Sequence, residues 1–318
     1  MSEFNVNILG CGSAKPSLRH HPSCTVVEHR GLLFMVDCGE GAQLQFQRMR
    51  LKMTRLGHIF LTHLHGDHVF GLPGLAGTLA LCGKAGGITI HTTAEGEHIL
   101  SQIFAVFNRD EDFDIRFNVL DPTREEIAFE NRGLRVRTVP LDHRVPTVGY
   151  VFEEKEKPRH IIREMIDFHR VPFSKINGIK AGEDFVTDDG RVIPNEALTK
   201  PADDALSYAH ISDTRYMPSL AEKIEGATLL FHETTYLEEN MREARLRYHS
   251  TAKQAAMVAR DAHAGTLVTG HYSSRYRDDS RFKTEAKTVF PRVILGNERL
   301  TIPITRELYG DDLPSPLK

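Results

Sequence analysis

One run of the chain restricts the choice of folds sharply: Phe60 to Leu75, FLTHLHGDHVFGLPGL. His63, His65, Asp67 and His68 fall within six positions, and apolar residues flank them on both sides. Imidazoles and carboxylates are poor core material, because burying them without partners is costly. Packed at this density after a short apolar strand, they read as ligands for a cation. Gly66 lets the backbone turn tightly between them.

Other segments end in the same way. His143 follows VRTVPLD, Asp213 follows SYAHIS and His271 follows TLVTG. Strand ends of an open α/β sheet meet at the crevice where ligands bind. The expectation is a two-ion site, with His63, His65 and His143 on one ion and Asp67, His68 and His271 on the other. Asp213 would bridge them, since a carboxylate offers two oxygens where an imidazole offers one lone pair. Imidazole with some carboxylate suits zinc, with manganese or magnesium as substitutes. Two ions about 3.5–4 Å apart would lower the pKa of a water between them. His20, His21, His29, His58, His98, His160 and His263 read as ordinary structural residues.

The rest of the chain supports a layered α/β protein. FNVNIL, the hairpin CTVVEHR/GLLFMVDCG, HIFLT and GITIHTT are strand-like, and the histidine cluster reads as a loop. GLPGLAGTLALCG, EGEHILSQIFAVF and TAKQAAMVARDAH have helical spacing. The 318 residues carry 40% hydrophobic side chains and a net charge of −3, so a nucleic-acid partner must be met by a local patch. Four scattered cysteines without a C-x-x-C, no leader-like N-terminus and no membrane-length apolar run point to a reduced, cytoplasmic setting.

Residues 153–201 break the pattern. They are polar and charged, with helical spacing only in RHIIREMIDF. Loops of this length inside a compact domain are uncommon and often functional.

His63, His65, Asp67 and His68 match the H-x-H-x-D-H hallmark, and the chain thereby resembles the metallo-β-lactamase superfamily. LGCGSAKPSLRHHPS, VDCGEGAQLQ, LDHRVPTVGYVFEE, ISDTRY, FHETTY, HSTAKQAA and GHYSSRY, from Leu9 to Tyr276, are similar to the ribonuclease Z family in their order. The resemblance implies a single αββα sandwich over residues 1–318 with an inserted substrate arm at about 153–201. It implies two zinc ions, a homodimer, and cleavage of precursor tRNA 3′ of the discriminator base to leave a 3′-OH. It also implies that His249 protonates the leaving oxygen, that Glu233 orients His249, and that Asp67 binds metal and orients the attacking water. Arg19 and Arg275, with Arg159, Arg163, Arg170 and Lys175 on the arm, become candidate RNA contacts. The chain departs from the family at His20, where many relatives have asparagine, and in lacking a Gly-Pro pair on the arm. Two rival readings share the ligands: a small-molecule phosphodiesterase or arylsulfatase-like hydrolase, and a catalytically silent RNA-binding subunit.

Overall fold

A computed structural model describes residues 4–107 and 113–306. The chain divides into two compact units; Asn131–Leu134 with Glu153–Ala205 make the second, and the remainder makes the first.

The first unit is built on two seven-stranded sheets. One runs in the order Leu300–Pro303, Phe4–Gly10, Cys24–His29, Leu32–Val36, Leu56–Phe60, Ile88–Thr92, Ile115–Val119. The first four of these strands pair antiparallel and the last four parallel. The other runs Val293–Leu295, Thr266–Gly270, Leu229–Glu233, Ser207–Ile211, Thr147–Glu154, Leu134–Leu141, Ile127–Glu130, its first four strands parallel.

Strand alternation separates the layers. Phe34 and Phe60 of the first sheet meet Phe129, Tyr150 and Phe152 of the second, with ring centroids 5.1–6.1 Å apart. Their neighbours Met35 and Ile59 point the other way, into a core with Leu72, Leu75, Ala76, Leu79, Leu100 and Phe104 from the helices Leu72–Leu81 and Ala94–Phe107. Ala255, Ala256 and Ala259 are buried on the helix Ala252–Asp261, which packs on the second sheet. This is the expected αββα sandwich. No helix among the described residues is long and apolar enough to cross a membrane.

Two local expectations are corrected. The histidine cluster is not all loop, because Gly66–Val69 is a turn of helix carrying Asp67 and His68. A Cβ at Gly66 would lie 2.2 Å from Phe70 Cε2, so a larger residue there would displace the exposed Phe70 ring. In the second unit the helix begins only at Arg163 and ends at Phe168. His160–Ile161 instead pair with Thr199–Lys200, and Phe185–Val186 with Val192–Ile193. These short elements enclose a small core of Ile166, Ile179, Phe185, Ile193 and Leu198.

Candidate metal centre

The ligand-type residues stand just past the C-terminal ends of strands. His63 and His65 follow Leu56–Phe60, His143 follows Leu134–Leu141, Asp213 follows Ser207–Ile211 and His271 follows Thr266–Gly270. The structure brings all seven together as two groups. In the first, Nε2 of His63 and of His143 lie 3.0 and 3.3 Å from Nδ1 of His65, and 3.7 and 3.8 Å from Asp213 Oδ2. In the second, Nε2 of His68 lies 3.6 Å from Asp67 Oδ2 and 3.7 Å from Asp213 Oδ1. Nε2 of His271 lies 3.5 and 3.3 Å from the same two oxygens. One oxygen of Asp213 therefore faces each group.

These spacings fit a cation. Four ligands held tetrahedrally at 2.0–2.1 Å are about 3.3 Å apart along each edge, and the observed donor separations bracket that value. Nε2 of His68, Nε2 of His271 and Oδ1 of Asp213 are buried, yet they find no hydrogen-bond partner among the described residues. Buried polar atoms are nearly always satisfied, and an ion between them satisfies all three.

Electrostatics prepare the donors. Burial pushes the pKa of His63, His65 and His143 down, leaving neutral imidazoles with free lone pairs. Burial opposes ionisation of Asp67 and Asp213, but the surrounding imidazoles outweigh it and hold both carboxyls below their ordinary range. For His68 burial is likewise overridden, here by Asp37, Asp213 and Asp67, and its pKa is raised to about 10. These carboxylates are the field that a divalent ion would meet.

A second layer fixes the ligands. His68 Nδ1 donates to Asp37 Oδ2 at 2.7 Å, and Asp37 also accepts from the Thr62 N–H at 2.8 Å and from Thr62 Oγ1. Thr62 Oγ1 accepts from His63 Nδ1 at 3.0 Å. His271 Nδ1 donates to Thr235 Oγ1 at 2.8 Å, which donates to Glu233 Oε2 at 2.7 Å. Such partners set the ring tautomer and aim the opposite nitrogen at the metal. Asp37 and His271 adopt positive φ, 58° and 61°, a conformation unusual for residues other than glycine and often found at functional sites. Sequence reading gave no role to Asp37, Thr62 or Thr235. The acidic end of the apolar strand LLFMVD was the available signal for Asp37.

Partly buried His249 and fully buried Glu233 form a pair beside the second group. His249 Nδ1 lies 2.9 Å from Glu233 Oε1, which also accepts from the Ser250 N–H at 2.9 Å. Burial disfavours charging His249, but Glu233 and Asp213 reverse this and raise its pKa to about 9. The helix after His249 is capped by Thr251, through a reciprocal box with Gln254. His249 is thus left free of capping duty.

The groups open into a cavity of about 500 Å³. Lys15, Arg144, Arg247 and Arg275 line it along with His65, Asp67 and His249. Asp67 is held there by the Ala14 N–H at 2.7 Å. Of the cations expected to meet RNA, only Arg275 lines this cavity, its guanidinium 4.9 Å from the Tyr236 ring centre. Arg19 donates to the carbonyls of Tyr276 and Arg277 and lies 3.6 Å from Asp279, so it ties the loop down. Arg159, Arg163, Arg170 and Lys175 belong to the second unit. Lys15, Arg144 and Arg247 were not foreseen, because isolated basic residues on different loops form no local pattern.

A family model described as the anti-Pycsar protein Apyc1 matches residues 4–156. A ribonuclease Z of Parabacteroides distasonis is 48% identical over 304 residues, covering 96% of this chain and all of that protein. One from Bacteroides thetaiotaomicron is 45% identical, covering 96% of each. Among solved structures, the short form of human tRNase Z superimposes with a TM-score of 0.67 at 24% identity, over 95% of this chain and 99% of that one. The metallo-β-lactamase fold protein YhfI of Bacillus subtilis gives 0.66 at 16% identity, with the same coverage. At those identities the structural likeness speaks for the fold alone.

Proposed function

The chain belongs to the ribonuclease Z family of metal-dependent tRNA 3′-processing endoribonucleases, and we propose that it cuts precursor tRNA 3′ of the discriminator base using two zinc ions. The reading rests chiefly on one observation: the His249–Glu233 pair stands at the rim of two convergent donor groups that share Asp213.

In this reading His63, His65 and His143 would hold one ion and Asp67, His68 and His271 the other, with Asp213 shared between them. Divalent ions in such a donor set make water nucleophilic near neutral pH and offset the charge of a phosphate. The residues of the chain supply the rest. His249, with Nδ1 turned to Glu233, gives a proton from Nε2 to the departing 3′ oxygen, leaving a 3′-OH on the tRNA and a 5′-phosphate on the trailer. Glu233 keeps His249 charged and oriented. Asp67, anchored by the Ala14 N–H, orients the attacking water. Lys15, Arg144, Arg247 and Arg275 contact phosphates near the cut. The second unit serves as the arm that holds the folded body of the tRNA by shape and phosphate contact. The working form is a homodimer in the cytoplasm; free cysteines, three of them buried, support a reducing compartment.

The test is to incubate purified protein with a 3′-extended tRNA and map the new end. The expected result is a 3′-OH immediately after the discriminator base. His249→Ala should retain both metals and bind tRNA, yet cleave it at least 100-fold more slowly, within the usual range for a lost proton donor. Hydrolysis of a small chromogenic phosphodiester with none of tRNA would overturn the reading in favour of a small-molecule hydrolase. Fewer than about one metal per chain would favour a silent RNA-binding subunit, whose ions are not needed.

A further inference from the structure

The helix Met241–Arg247 ends in an unusual way. Its capping hydrogen bonds run from His249 N to Ala244 O at 2.9 Å and from Tyr248 N to Arg245 O at 3.4 Å. These are the two closures of a Schellman motif, which places residue 248 in the left-handed region, where glycine is the usual occupant. Tyr248 sits there with φ 62° and ψ 47°. A bulky side chain held in this conformation calls for an explanation.

The surroundings provide one. The guanidinium of Arg215 lies 3.4 Å from the centre of the Tyr248 ring, and that of Arg144 lies 5.9 Å from it. Both are within the range of cation–π attraction. The same two arginines bond the end of the helix: Arg215 Nε donates to Arg245 O and Arg144 Nη2 to Leu246 O, each at 3.0 Å. Tyr248 O in turn accepts from His143 Nδ1 at 2.9 Å.

The sequence positions matter most. Arg144 directly follows His143, Arg215 lies two residues after Asp213, and Tyr248 directly precedes His249. Each member of the aromatic–arginine group therefore lies within two residues of a residue of the centre, and the three come from three different loops. Tyr248 itself does not line the cavity.

We propose that Tyr248 is a positioning residue, whose ring, gripped by Arg215 and Arg144, locks the loops of His143, Asp213 and His249 into one register. The carbonyl of Tyr248 keeps the proton of His143 on Nδ1, which leaves Nε2 as the donor. Its left-handed turn directs His249 towards Glu233. This inference rests on the proposed roles of His143 and His249.

Tyr248→Gly removes the ring but suits the backbone. If the ring served only the fold, the glycine variant would melt lower yet work as well as the parent while folded. The expected result is different: an unchanged or higher melting temperature, kcat on 3′-extended tRNA reduced at least tenfold, KM within twofold, and metal lost to a competing chelator about tenfold more readily. Tyr248→Phe, which keeps the ring, should restore kcat and metal retention. A glycine variant with parental kcat or parental metal retention would overturn the proposal. So would a raised KM at constant kcat, which would put the ring on the RNA, or a phenylalanine variant as impaired as the glycine one. Absence of tRNA cleavage by the parent would instead count against the functional reading, while chelator competition would still report on the lock.

Discussion

Asp37 illustrates how much one side chain can decide. Its buried carboxylate receives His68 Nδ1, the Thr62 amide and the Thr62 hydroxyl, and so fixes a ligand of each ion group without touching either ion position. Asp37→Asn would keep the shape but turn an amide N–H towards a donor. Metal affinity should drop roughly 10–100-fold, the usual effect of losing such a partner. Chelator competition with a chromogenic indicator measures it, and equal retention in variant and parent would sink the idea. The two groups could be read from the sequence because three of their segments end apolar runs in a histidine or aspartate and the fourth packs four such residues into six positions. Asp37 also ends an apolar run, but it stands alone before a glycine-containing turn and looks like any turn former. Its role arises only when strand 32–36 lies beside strand 56–60, a contact that no local pattern encodes.

At the level of elements, strands and the extent of the inserted unit were legible, but the inner structure of that unit was not. Strands such as Thr266–Gly270 are buried throughout and bounded by turns, so composition alone marks them. The inserted unit draws its core from single residues on several short elements, Ile166, Ile179, Phe185, Ile193 and Leu198. A core assembled in that way has no periodicity to detect. The architecture also dictates how the arm must be removed. Cutting after Asp184 would leave Phe185, Ile193 and Leu198 without partners, whereas Lys157 Nζ donates to Asp204 O at 3.2 Å and marks two ends that lie together. Replacing Lys155–Asp204 by a short glycine–serine linker should lower tRNA cleavage about 100-fold and change turnover of a small phosphodiester by less than about threefold, as expected if phosphate contacts remote from the cut are lost. Parallel loss on both substrates would show that the unit is needed for folding.

For the whole molecule, buried imidazoles of two kinds shape the response to pH. His58, His91 and His210 are kept neutral by burial, with pKa values lowered to about 4, 3 and 3. Hydrogen bonding agrees: Asn118 donates to His91 Nδ1, so His91 Nε2 donates to His58 Nδ1 at 3.0 Å. For these groups the folded value lies below the unfolded one, about 6.5. Their contribution is whole above pH 6.5 and is lost as pH falls towards 4. His20 is the opposite case. Burial is outweighed by Asp279 and Glu298, 2.8 and 3.1 Å away, and its pKa rises to about 9. Its contribution is whole below pH 6.5 and disappears as pH rises through about 9. The melting temperature, followed with chelator present so that metal release plays no part, should therefore peak near pH 6.5 and fall on both sides. A flat profile between pH 6.5 and 4.5 would deny these imidazoles that influence.

The bonds of His20 also carry a consequence in time. They fasten the loop after the first strand to Asp279 and Glu298, residues 259 and 278 positions further on, and Ala14 of that loop holds Asp67. A ribosome delivers these partners at opposite ends of synthesis. Until residues 271 to 298 emerge, His271 is missing and the loop that holds Asp67 lacks its ties to Asp279 and Glu298. A chain that stops before residue 271 would lack one of the seven clustered residues as well as the ties of His20 to Asp279 and Glu298, so the site is completed late in synthesis.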